Sequence, residues 1–112
     1  MPRNITMHLE DMLVASEKIM TYVGTMTLHE FCSDAKTFDA VIRNLEIIGE
    51  AAKNVPSEIR NKYPQIEWKK VSGMRDMLIH EYFGVDADIV WDIIHHKIPD
   101  LIQNLREIIA KI

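Results

Sequence analysis

An arginine, a histidine and a tyrosine stand close together in the segment Gly73-Met-Arg-Asp-Met-Leu-Ile-His-Glu-Tyr-Phe-Gly-Val-Asp86, as Arg75, His80 and Tyr82. A guanidinium grips a phosphate with a fork of donors and stabilises charge developing on it. An imidazole exchanges a proton near neutral pH. Together they suffice for RNA cleavage without a metal. A base takes the ribose 2′-hydroxyl proton, a cation stabilises the crowded phosphorane, and a cyclic phosphate is left. The spacing alone is weak, because Arg3 and His8 repeat it. With five Arg and five His in the chain, such a step has roughly even odds of arising by chance. Requiring Tyr two residues beyond the His lowers this to roughly a few per cent, and Glu10 fails that test after His8. Arg3 and His8 are therefore expected to take no part in the chemistry. On an ideal helix Arg75 and Tyr82 share a stripe, whereas His80 lies about 140° from Arg75. Either the helix ends or bends near Ile79, or a second subunit completes the site.

Upstream, Arg43, Glu46, Glu50 and Lys53 fall on one helical stripe. As a solvated ladder of charge pairs they contribute only tenths of a kcal/mol each. As functional groups, Arg43 and Glu50 line a cleft and orient Arg75, with Asp76 beside it. Gly49, inside the same helix, costs about 1 kcal/mol against Ala unless another backbone approaches closely. Its presence predicts a tight helix–helix contact. Asp88, Asp92, His96 and Asp100 repeat at four-residue steps, but the set drifts about 40° per step around a helix. They read as a wet face, and no metal site is expected. Cys32 lacks a neighbouring base in sequence and is expected to be inert packing. His29 and His95 have no evident partner, and the seven Met read as core filling.

The elements that must position these groups are helices. Apolar residues recur at steps of three and four almost throughout. One helix carries Ile5, Leu9, Met12, Leu13, Ser16, Ile19, Met20 and Val23 inward and stops near Gly24. Residues 27–33 form a turn or short helical piece. A second long helix buries Phe38, Val41, Ile42, Leu45, Ile48 and Ala52 and ends before Pro56. Ser57 suits an N-cap for a short helix halted by Pro64. A third main helix runs from Glu67 to Tyr82, with Gly84 just past its end. Asp86 caps the last helix, which Pro99 kinks or restarts. The expected fold is all-α, a bundle of four or five helices over residues 1–112 as one domain.

The 112 residues suit one soluble core, and the net charge of −4 excludes a wholly basic nucleic-acid coat. Charge is nonetheless uneven. Residues 53–75 carry six cations against Glu58 and Glu67, an excess of four that leaves −8 on the remainder. Such a basic segment on an acidic body is a solvated face or a seat for a phosphate chain. The longest apolar run, Met12 to Ala15, has only four residues, so no membrane span is expected. No apolar signal region follows Arg3, and one cysteine fits a reducing cytoplasm.

Arg75-Asp-Met-Leu-Ile-His80-Glu-Tyr82 resembles the R-x4-H-x-Y signature of the HEPN superfamily, specifically the HepT-like ribonuclease toxins. Residues 41–52 (Val-Ile-Arg-Asn-Leu-Glu-Ile-Ile-Gly-Glu-Ala-Ala) and Trp68 reinforce the likeness, which extends over essentially the whole chain. The resemblance implies a helical homodimer in which two Arg75/His80 pairs meet in a cleft between subunits. It implies metal-independent RNA cleavage with no cofactor, and an antitoxin of the MntA-type minimal nucleotidyltransferase kind. That partner is expected to place AMP on Tyr82. The competing reading is a non-catalytic binding or regulatory subunit of a nucleotidyltransferase complex. The intact Arg, His and Tyr favour the enzyme, because a docking module has no chemical need for all three.

Overall fold

Leu9, Met12, Ser16, Ile19 and Val23, spaced by three and four, are all sealed from water at 1% exposure or less. In the computed structural model, which describes residues 3–80 and 86–112 and side chains at 6–76 and 86–112, they form one face of helix α1 (Arg3–Val23). Ser16 is tolerated on that face because its hydroxyl donates to the Met12 carbonyl at 2.7 Å. Gly24 ends the helix with φ +51°, a conformation that favours glycine. Its N–H donates to the Met20 carbonyl at 2.9 Å.

The expected turn at 27–33 is the short helix α2 (Leu28–Ser33), opened by a reciprocal capping box between Thr27 and Glu30. It drives Phe31 fully into the core, with ring centroids 5.8 Å from Phe38 and 5.5 Å from Trp91. Helix α3 (Ala35–Lys53) begins at Asp34, whose carboxylate accepts from the Thr37 amide and hydroxyl. Those donors hold the Asp34 carboxyl below its ordinary 3.8. The predicted stripe of Val41, Ile42, Leu45, Ile48 and Ala52 is buried, and Phe38 is half-buried against it.

Helix α4 (Ser57–Lys62) is capped by Pro56 rather than Ser57, which is its first helical residue, and it stops before Pro64. Helix α5 (Trp68–His80) is anchored at its start by Trp68, whose indole N–H donates to the Tyr63 carbonyl at 2.9 Å. The anticipated end of this helix, at Tyr82 with Gly84 beyond, lies outside the described residues. Asp86 caps α6 (Ala87–His96) by accepting from the Asp88 amide at 2.8 Å. Lys97 separates α6 from α7 (Ile98–Lys111), with Pro99 in the first turn of α7, so the proline restarts the helix. The described residues thus hold seven helices rather than four or five. Two have six residues each, and the proline divides the last expected helix.

Helix α3 is the centre of the arrangement. It packs against α1 on one side and α5 on another, while α7 covers α1 and α6 joins α7 to α2. Arg106 on α7 reaches Glu17 on α1 at 2.7 Å. Cys32 proves exposed rather than packed, which corrects the expectation of a core thiol. His95 does have a partner: its ring lies 4.1 Å from the Trp91 ring, and its Nδ1 is 3.0 Å from the Trp91 carbonyl.

The tight contact expected at Gly49 is present. A Cβ built there would lie 2.8 Å from Arg75 Cβ and 2.9 Å from the Arg75 backbone nitrogen. Substituting alanine improves helix propensity by about 1 kcal/mol, yet overpacking against a neighbouring backbone costs about 1–3 kcal/mol. Gly49→Ala is therefore expected to lower stability in urea unfolding, and a midpoint equal to or above wild type would mean that α5 yields freely.

Candidate functional site

Arg75 sits in the middle of α5, where that helix crosses α3. Its backbone occupies the space left by Gly49, and the next residue of α3, Glu50, holds its side chain. Arg75 Nε lies 2.6 Å from Glu50 Oε2, with the two side chains 33% and 52% exposed. At that exposure the pair contributes at most about 1 kcal/mol to stability. Its larger effect is orientation. A guanidinium has five N–H donors, and Glu50 occupies Nε, so the four on the Nη atoms remain for an anion. Arg75 Nη1 is also 3.7 Å from Asp76 Oδ1, which is too long for a hydrogen bond.

These groups open onto a cavity of about 400 Å³, whose wall includes Arg43, Glu46, Glu50 and Arg75. Arg43, Glu50 and Arg75 thus line one cavity. Arg43 is 72% exposed and pairs with Glu46 at 3.7 Å. Glu50 therefore leaves the ladder of charges along α3 and turns to α5. The other acids on the wall are Asp11 and Glu46, so the cavity holds three carboxylates against two arginines. An anion gains from Arg75 locally but enters a site with no positive surplus.

His8 lines this same cavity from α1, together with Asp11. Spacing along the chain gives His8 no part, yet the packing of α1 on α3 brings it to the cavity that Arg75 lines. The pattern held a usable signal: His8 precedes Met12 by four and Ala15 by seven, and both are buried. A histidine on such a stripe faces a neighbouring helix. Arg3 belongs to α1, and its side chain lies outside the described ones. His80 is the last residue of α5; its side chain, and Tyr82 altogether, lie outside the described residues. Among the described residues no three His, Cys, Asp or Glu side chains gather as a metal site, and Asp88, Asp92, His96 and Asp100 are no exception.

Residues 12–108 match the family model described as ribonuclease HepT-like. The chain is 46% identical over 110 residues to a candidate RNase of Methanocaldococcus jannaschii, covering 98% of this chain and 91% of the relative. It is 43% identical over 104 residues to a candidate RNase of Caldanaerobacter subterraneus subsp. tengcongensis, covering 93% of each. A Thermococcus cleftensis protein named "Probable ribonuclease HepT" is 44% identical over 101 residues, 90% of this chain and 92% of its own. No solved structure matches. No helix among the described residues is long and apolar enough to cross a membrane.

Glu50→Gln should release the Arg75 side chain while leaving the helices intact. In nitrogen-15 NMR the Arg75 Nε–H resonance is expected to shift and exchange faster with water in the variant. A resonance identical in both proteins would break the assigned pairing.

Proposed function

The chain belongs to the ribonuclease HepT-like family, and from that premise we propose that it is a metal-independent endoribonuclease toxin acting through Arg75 and His80. The reading is carried by Arg75, a guanidinium fixed by Glu50 at a cavity wall with its Nη donors unspent. His80 takes the proton from a ribose 2′-hydroxyl, and the freed oxygen attacks the adjacent phosphorus. Arg75 bears the charge that grows on the phosphorane oxygens. The 5′-oxygen leaves with a proton from water, to which the His80 imidazolium returns its own, so the products are a cyclic phosphate and a 5′-hydroxyl. Glu50 and Asp76 position Arg75, and Arg43 meets the substrate backbone at the rim.

The working unit in this proposal is a homodimer in the cytoplasm. The ideal-helix separation of Arg75 and His80 favours a site completed by a second copy. Met7, Val14 and Tyr22, spaced by seven and eight along α1, are 49%, 49% and 41% exposed, an apolar stripe on the helix that carries His8. A self-complementary contact along it would bring two Arg75 cavities together. Light scattering should then give twice the 13.0 kDa chain mass.

Arg75→Ala and His80→Ala are each expected to abolish RNA cleavage with helicity intact. Loss of proton transfer is worth roughly 10²–10⁴-fold in rate. Loss of the cation costs about 3 kcal/mol in a water-poor site. Activity should survive EDTA. Because His8 lines the cavity, the matched control is His29→Ala, an exposed histidine on α2. Full activity in either site variant, or strict metal dependence, refutes the assignment.

Control is proposed to act at Tyr82 through a minimal nucleotidyltransferase of the MntA type. AMP on its hydroxyl adds a phosphodiester anion that competes with RNA for Arg75 and fills the cleft. Inhibition then needs no unfolding. Intact-mass spectrometry after co-expression with such a partner should show AMP-sized additions that vanish in Tyr82→Phe. Persistence of the additions, or RNA cutting by the modified protein, places the switch elsewhere.

A further inference from the structure

The catalytic cavity lacks a positive surplus, yet a ribonuclease must attract a polyanion. We infer that a second cavity, between α4 and the start of α5, is a phosphate-backbone subsite for the RNA substrate; the inference rests on the ribonuclease reading above. This cavity of about 660 Å³ is lined by Arg60 on α4 and by Lys69 and Lys70 on α5, with Ser57 and Asn61 as neutral donors. Its only carboxylate is Glu67. Three cations face one acid here, against two facing three around Arg75. On a chain of net charge −4, this cavity belongs to the segment that carries the local excess.

The cations differ in how far they are already engaged. Lys70 is spent on Glu67 at 2.9 Å, which raises the Lys70 ammonium above its ordinary 10.5 and holds the Glu67 carboxyl below 4.5. Lys97 also approaches Glu67 at 3.7 Å, so that carboxylate is neutralised from two sides. Lys69 and Arg60 make no ion pair with any described residue. Arg60 Nε is moreover buried without a hydrogen-bond partner. The Arg60 guanidinium thus spends no Nε hydrogen bond on a described group of the protein. By contrast Lys62 lies 5.7 Å from the Tyr63 ring centroid, outside the lining.

Placement suits a chain that continues into the catalytic cavity. Trp68, on the wall of this subsite, is seven residues before Arg75, about 10 Å along the α5 axis. A single strand lying on Arg60 and Lys69 would wrap part of the way around α5, over more than one nucleotide, to set a further phosphate at Arg75. Phosphate contacts of this kind supply affinity without sequence preference.

The test uses the full chain with His80→Ala to stop cleavage, and a fluorescein-labelled single-stranded RNA read by anisotropy over a salt series. Adding Arg60→Gln and Lys69→Gln should weaken binding about tenfold at low salt, and flatten the slope of log affinity against log salt by about 1.4, the share of two phosphates. Arg60→Lys alone should keep most of the affinity. Removing two exposed cations elsewhere, Lys18→Gln with Lys111→Gln, should change little. With His80 present, the double variant should raise KM and leave kcat unchanged. Unchanged affinity and slope overturn the subsite, as does an equal loss in the Lys18/Lys111 control. If the wild type cuts no RNA but binding still depends on Arg60 and Lys69, the catalytic reading fails and the subsite stands.

Discussion

Everything about the site follows from an absent side chain. Gly49 gives the Arg75 backbone room against α3, with Cβ and nitrogen closer than any Cβ at position 49 would allow. That approach fixes both the height and the rotation of α5 on α3. Once it is fixed, Glu50 is the neighbouring group that meets the guanidinium, at 2.6 Å. Two consecutive residues of one helix therefore act in turn, the first seating the backbone of Arg75 and the second aiming its side chain. Because α3 also receives α1, that second packing brings His8 to the cavity.

Electrostatics separates into two regions along α4 and α5. Around Arg75, Glu46 and Glu50 pair with the arginines, and together with Asp11 they cancel them as a field. Charge that stabilises a developing oxyanion acts over a few ångströms and survives this cancellation; long-range attraction does not. Under the proposed reading, attraction would be left to Arg60, Lys69 and the lysines beside them. The Lys70–Glu67–Lys97 cluster adds a structural tie from α5 to the junction of α6 and α7, persisting between the depressed carboxyl and the raised ammonium pKa values.

Much of the fold was readable because long amphipathic helices repeat their signal. The stripes of α1 and α3, the Asp86 cap, the restart at Pro99 and the close contact at Gly49 each follow from a residue type and a period. The helix count did not, since six residues hold under two turns and carry almost no periodicity. In α2 the Thr27/Glu30 box was the available sign. That Arg43 and Glu50 share a side of α3 could be read from their spacing, because one helix carries both. That His8 lines the same cavity as Arg75 results from the packing of α1, α3 and α5, which the chain spacing between the two does not contain. Cys32 was misread because Phe31, its neighbour, takes the buried place on a helix too short to bury both.

Helix α5 rests chiefly on α3, whereas α1, α6 and α7 each have two partners or more among the other helices or close on one that does. Of its residues on the described apolar side, Trp68 is buried but Val71 and Met74 are only half-covered. The helix is a beam fastened along one edge, with the exposed Glu67–Lys97 pair as a second tie at its start only. In a protein whose parts open with unequal free energies, such a beam detaches before the core it leans on. A strand of RNA lying across Arg60, Lys69 and Arg75 would clamp α5 to α4 from outside, supplying the second fastening that the apolar core does not. A bound strand would then act as a structural brace, drawing α5 into the best-held part of the molecule.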